Sequence, residues 1–189
     1  MKAEDIVTVP DERLRKTAAR IHVLTDDVQY LIENMKSATL DWEKRRQHEI
    51  GVALAAPQIG ALERIVIIRN NLEDKSDEEF SVFINPEIIK YEGEVQTEAE
   101  GCLSVPDVYG MVPRYETVRL RALDEHGEAV RVKLNGFLAR VLQHEVDHLH
   151  GRLFVDKVEQ DAYYKILDDG TLQPLPASEI DAARVLWHG

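Results

Sequence analysis

One cysteine, Cys102, is all that the 189 residues contain. No intrachain disulfide can form, which excludes a secreted disulfide scaffold, and a lone thiol suits a reducing compartment or a chemical role. Long apolar runs are missing too: nothing approaches the roughly 20 apolar residues of a membrane span. The opening Met1-Lys2-Ala3-Glu4-Asp5 turns acidic at once and lacks an apolar signal-peptide region. Positive charge is scarce, 23 Lys and Arg against 35 Asp and Glu for a net charge of −12. That balance argues against a broad nucleic-acid-binding face and against direct DNA binding. Internal repeats are absent. With 44% hydrophobic residues, the chain reads as one acidic, soluble, globular domain over residues 1–189. It is expected in the cytoplasm, or in an organelle after removal of a transit peptide.

What is present has a clear order. Residues 10–35 carry Leu14, Ala18 and Ile21, then Val28, Leu31, Ile32 and Met35, at three- and four-residue spacings. This predicts an amphipathic N-terminal helical hairpin, its second helix running on through the charged residues 41–48 as a solvated face. From Gly51 the texture changes to short runs bounded by Gly, Pro and Asn. Residues 65–68 and 81–84 predict strands around a polar loop at 70–79, and Val118, Leu120 and Ala122 alternate with cations before a turn at 124–127 and a matching strand through Val130, Val132 and Leu134. After Asn135-Gly136 the period becomes helical, with Gly151 as its stop and apolar residues on most sides. The fold class is α+β, antiparallel sheets packed around a buried helix. Residues 159–189 form a divergent acid-rich tail with a weak helical pattern near 179–187.

The buried helix carries His144-Glu145-Val146-Asp147-His148, an H-E-x-x-H pattern. Histidines four apart lie on one helix face and reach one metal ion, with Glu145 placed to hold a water rather than the metal. The H-E-x-x-H-x-x-G-x-x-H extension of one zincin group is absent, since Gly151 is followed by Arg152-Leu153-Phe154. Upstream stands Glu100-Gly101-Cys102-Leu103-Ser104. Cys102 as third ligand leaves an open fourth position; read alone, it is more simply a small buried hydrophobe. Phe137 and Val141 precede the histidines on nearly the same face and predict an apolar pocket beside them. Arg140 on the neighbouring face reads as a solvated arginine, with a place at the pocket mouth as the alternative. Gly51, Ala53, Leu54, Tyr109 and Gly110 lie in extended segments suited to pairing with a peptide backbone.

Three segments in order resemble the signatures of peptide deformylases: Gly51-Val52-Ala53-Leu54-Ala55-Ala56-Pro57-Gln58, Glu100-Gly101-Cys102-Leu103-Ser104, and Gln143-His144-Glu145-Val146-Asp147-His148. The likeness extends over about residues 8–158. It implies that Cys102, His144 and His148 hold one divalent ion, Fe2+ first and Zn2+, Ni2+ or Co2+ as replacements. It implies hydrolysis of the N-formyl group from the initiator methionine of new polypeptides, with Glu145 moving the proton and the Leu103 N–H and Gln58 side chain steadying the oxyanion. The implied partners are N-formylmethionyl peptides, on nascent chains at the ribosome. Three departures stand out: Ala53 replaces a usual glycine, residues 40–50 are longer and more charged than expected, and the acidic tail offers no basic ribosome-docking helix. A metal-dependent amidase acting on another N-acyl group is the competing enzyme reading. A binding module without turnover is the competing non-enzyme reading, against which the intact Glu145 and Gln58 count.

Overall fold

The structure, a computed structural model, describes residues 1–46, 49–158, 162–167, 169–175 and 179. It is a mixed α+β fold. Among the described residues there are two α-helices, α1 (Asp26–Lys44) and α2 (Gly136–His148), and one antiparallel sheet of seven strands. The strands are β1 (Ala53–Ala55), β2 (Ile65–Arg69), β3 (Phe80–Cys102), β4 (Val105–Leu123), β5 (Ala129–Asn135), β6 (Tyr163–Ile166) and β7 (Leu172–Pro174). Their order is β1-β2-β3-β4-β6-β7, with β5 also beside β4.

Residues 65–68 are apolar without interruption because the sheet is covered on both faces there. Ala53, Ala55, Val66 and Ile68 pack with Ala139, Leu142 and Val146 of α2, while Leu54, Ile65 and Ile67 pack with Val28, Ile32 and Met35 of α1. The long β3–β4 ribbon bends at register shifts between Ile84 and Glu87, Ile88 and Lys90, Glu92 and Val95, and Gly101 and Cys102. Its broad end pairs with β2 and β5, and its turn end pairs with β6. The expected β4–β5 hairpin is present in register, Val118 opposite Leu134 and Leu120 opposite Val132.

Helix α2 is buried along residues 139–148, and Gly151 ends the turn that follows with φ +68°. A Cβ there would lie 2.3 Å from the Arg15 carbonyl oxygen, so only glycine lets the two chains meet.

The N-terminal hairpin is not formed. Its first half is a single 3-10 turn, Glu12–Arg15, capped by the Asp11 carboxylate, and then an extended run. The reason lies in the backbone: Ala18 N–H donates to the Leu149 carbonyl (2.9 Å), Ala19 N–H to Leu62 (2.8 Å), and Arg64 N–H returns to Ala19 (2.9 Å). A helix of two turns is marginal by itself, and these tertiary bonds satisfy the same groups. The second half forms as α1, which continues to Lys44; Gln47 and His48 lie outside the described residues. In the tail, β6 and β7 extend the sheet, and the helical pattern near 179–187 lies outside the described residues apart from Glu179.

Candidate metal centre and active site

Helix α2 stacks His144 and His148 one turn apart, their Nε2 atoms separated by 3.2 Å. Cys102 ends β3 and pairs with Val105, so Leu103 and Ser104 form a two-residue turn that delivers the thiol. Its Sγ lies 3.3 Å from His148 Nε2, and the three ligand atoms all fall within 4.8 Å of one another. Two imidazole nitrogens and a sulfur converging on one point form the soft, mixed N/S donor set of an open divalent-metal site, and the residues present fit such an ion.

The carboxylate of Glu100 orients His144. His144 donates Nδ1–H to its Oε2 (2.9 Å), which turns Nε2 toward the centre. Arg114 grips both Glu100 oxygens at 2.9 Å, and Arg140 Nη1 adds a contact of 2.8 Å. Arg114 also bonds Asp147, which takes Lys157 Nζ at 2.6 Å. Burial alone would raise the pKa of Glu100, but the bonds from His144 and Arg114 outweigh it and hold the carboxyl well below its usual range. Burial, and then the neighbouring His144, keep His148 neutral, the form that binds a metal. Glu145 lacks such partners. Burial pushes its pKa up to about 7, and its Oε2 has no hydrogen-bond partner among the described residues.

Gln58 sits in a 3-10 turn (Ala56–Ile59) after β1, buried rather than at the surface. Its Oε1 accepts from the Ala55 N–H (2.8 Å), so the amide nitrogen must face inward, 3.2 Å from Ser104 Oγ and 3.4 Å from Cys102 Sγ.

Above these groups opens a cleft of about 310 Å³. Ala53, Gln58, Cys102, Leu103, Tyr109, Phe137, Val141, His144 and Glu145 line it, with His148 buried beneath. Three expected residues do not line it. Gly51 packs so closely on Thr39 that a Cβ would meet its Cγ2 at 2.7 Å, and its N–H is taken by Glu43. Leu54 is wholly buried against α1. Gly110 is paired on both sides, with Glu100 and Tyr163, and so is the Tyr109 backbone, with Gly101 and Tyr164. Neither strand position is free to take a peptide; Tyr109 instead sends its hydroxyl to Glu49 (2.8 Å). Ala53 is extended and raises no backbone conflict.

Sequence reasoning overlooked Glu100, Arg114 and the wall formed by Trp42, Glu49 and Ile50. Arg140 is corrected from solvated to buried, its guanidinium on Glu100, the Val112 carbonyl (2.8 Å) and the Gln96 carbonyl (2.7 Å). A signal existed: Arg140, His144 and His148 follow at four-residue steps, so all three share one helix face.

An H-E-x-x-H helix packed on an antiparallel sheet, with a thiol from a strand turn beside its two histidines, is an arrangement suited to a metal-dependent hydrolase. The polypeptide deformylase family model matches residues 3–163. A peptide deformylase of Thermomicrobium roseum is 42% identical over 186 residues, covering 97% of each chain, and one of Tolumonas auensis is 44% identical over 156 residues, 82% of this chain and 87% of that one. Among solved structures, a peptide deformylase of Synechococcus elongatus in complex with actinonin superposes with a TM-score of 0.74 at 38% identity, covering 82% of this chain and 80% of that one. The chain belongs to the peptide deformylase family, hydrolases that remove the formyl group from newly made polypeptides.

Proposed function

We propose that Cys102, His144 and His148 hold a single ferrous ion, which zinc, nickel or cobalt can replace, within one catalytic domain working in the cytoplasm on formylated nascent chains at the ribosome. The convergence of the three ligand atoms beneath the cleft carries this reading. Bound there, a divalent ion supplies Lewis acidity that brings the pKa of water toward neutrality. The protein's own groups do the rest. Glu145 accepts a proton from the attacking water and passes it to the leaving amine, a role suited to a carboxyl with a pKa of about 7. The Gln58 Nε2 and the Leu103 N–H donate to the formyl oxygen as it gains charge. Phe137 and Val141 take the methionine side chain. The peptide backbone adds beside β1, which among the described residues pairs only with β2, leaving one edge open.

The test is formate release from formyl-Met-Ala-Ser and acetate release from its acetyl counterpart, with metal content measured on the same anaerobic sample. Formate release with one divalent ion per chain and negligible acetate is expected, because the acetyl methyl occupies the approach to the carbonyl carbon. Comparable rates on both peptides overturn the deformylase assignment in favour of a general amidase.

A further inference from the structure

Arg69 closes β2 with a side chain that has no exposure, and each nitrogen of its guanidinium has an acceptor. Nε donates to the Asp77 carbonyl (3.0 Å), Nη2 to the Lys75 carbonyl (2.7 Å) and Nη1 to Glu43 Oε2 at the end of α1. The same Glu43 oxygen accepts the Gly51 N–H (2.9 Å), and the Arg69 N–H donates to the Val52 carbonyl (2.8 Å). From the loop after β2, Lys75 Nζ returns to the Glu49 carbonyl (3.2 Å). Residues 49–52 are therefore held through Glu49, Gly51 and Val52. A buried ion pair gains little stability over apolar side chains of similar volume. What this pair does enforce is the course of the chain as it enters β1.

We propose that Glu43 is a positioning residue for the bound peptide, fixing with Arg69 the wall of residues 49–52 along which the substrate's second and third residues lie. This role, which rests on the deformylase reading, follows from the order of the cleft. Gln58, Ala53, Val52, Ile50 and Glu49 line it, and Gln58 is the member 3.4 Å from the Cys102 thiol. A peptide whose formyl group meets Gln58 and whose backbone runs beside β1 carries its later residues past Val52 to Ile50 and Glu49. Glu43 itself does not line the cleft, so it acts through the Gly51 backbone. Neither Glu43 nor Arg69 bonds a residue of the metal centre among the described residues. Loosening the wall should therefore weaken the hold on longer peptides and leave the chemistry intact. The long, charged segment 40–50 thereby gains a role at the cleft, because α1 runs on to Lys44 and brings Glu43 within reach of Gly51.

The experiment is steady-state formate release from formyl-Met-Ala-Ser and from formyl-Met amide, with metal content and the urea midpoint measured on each preparation of the full chain. Two double variants remove both buried charges, so neither leaves an unpaired ion in the core. E43M/R69M also removes the acceptor for the Gly51 N–H, whereas E43Q/R69M keeps an amide oxygen there. In E43M/R69M the KM for formyl-Met-Ala-Ser should rise about tenfold, the cost of ordering about one freed backbone residue on binding. Its kcat and its KM for formyl-Met amide should stay within about twofold, because only distal binding is lost. E43Q/R69M should recover most of the KM, which a merely structural pair would not do. An unchanged KM for formyl-Met-Ala-Ser in E43M/R69M overturns the proposal. So does an equal rise on both substrates, a fall in kcat, or no recovery in E43Q/R69M. A double variant that does not fold overturns it as well, since the pair then holds the fold rather than the cleft. No formate release by the unmodified protein sinks the functional reading, whereas release with an unaltered KM in E43M/R69M sinks the positioning role alone.

Discussion

The β3–β4 ribbon carries arginine–glutamate pairs at both ends, and the two ends differ in what those pairs accomplish. At the turn end, Arg114 and Glu100 have side-chain exposures of 2% and 5% and are locked to Arg140, Asp147 and His144. At the broad end, Arg121 and Glu87 are 56% and 44% exposed and touch little else. The same residue types thus serve as a rigid bracket where water is excluded and as a solvated surface where it is not. Charges taken out of water hold their geometry only when each lone pair and proton is matched. A pair in water is screened and replaceable.

Mutation tests that contrast, and the largest effect is expected at the centre the turn end supports. Cys102→Ala should lose metal and formate release together; full occupancy and turnover in that variant would remove the thiol from the site. Glu145→Ala should keep its metal yet lose about 10² to 10⁴ in rate, the usual worth of a positioned proton carrier. Turnover above about a tenth of the unmodified value would take Glu145 out of the chemistry.

Next comes the bracket itself. Glu100→Gln strips two buried arginines and His144 of their common anion, so unfolding in urea should show a loss of about 3–5 kcal/mol. Metal affinity should fall roughly 10- to 100-fold as His144 loses its orienting acceptor. A variant with an unchanged metal affinity would mean that packing alone, with Phe154 stacked on the His144 ring, sets the ligand. Smallest of all is the broad end. Arg119→Ala and Arg121→Ala should leave the urea midpoint unmoved, and a clear shift in either would erase the contrast between the two ends.

How much of this was legible beforehand varied with the range of the interactions involved. The spacing of His144 and His148 follows from helix geometry, and the β4–β5 hairpin from alternation, because both depend on neighbours in the chain. The role of Glu100 was hidden although the residue sits in a recognised segment, since its partners Arg114, Arg140 and His144 arrive from three separate places. Arg140 misled for the opposite reason: a long cation on a helix usually reaches water, and only the strand carbonyls at Gln96 and Val112 make a buried position affordable. Residues 16–24 have a helical pattern and yet are extended, because backbone partners at Leu149 and Leu62 outcompete a short helix.

Local sequence was enough for the candidate ligand types, the helix that presents two of them, and the strands whose periodicity is self-contained. Three signatures in order also carried the family. Only the folded chain brings the Cys102 Sγ to 3.3 Å from His148 Nε2 by a two-residue turn, turns the Gln58 amide inward, and leaves Gly51, Leu54 and Gly110 outside the cleft lining. The physical reason is distance along the chain. Dihedral preferences and periodicity act over a few residues and are written locally, whereas burial, ion pairing and the satisfaction of backbone groups depend on segments some forty or more residues apart that meet only in the folded state.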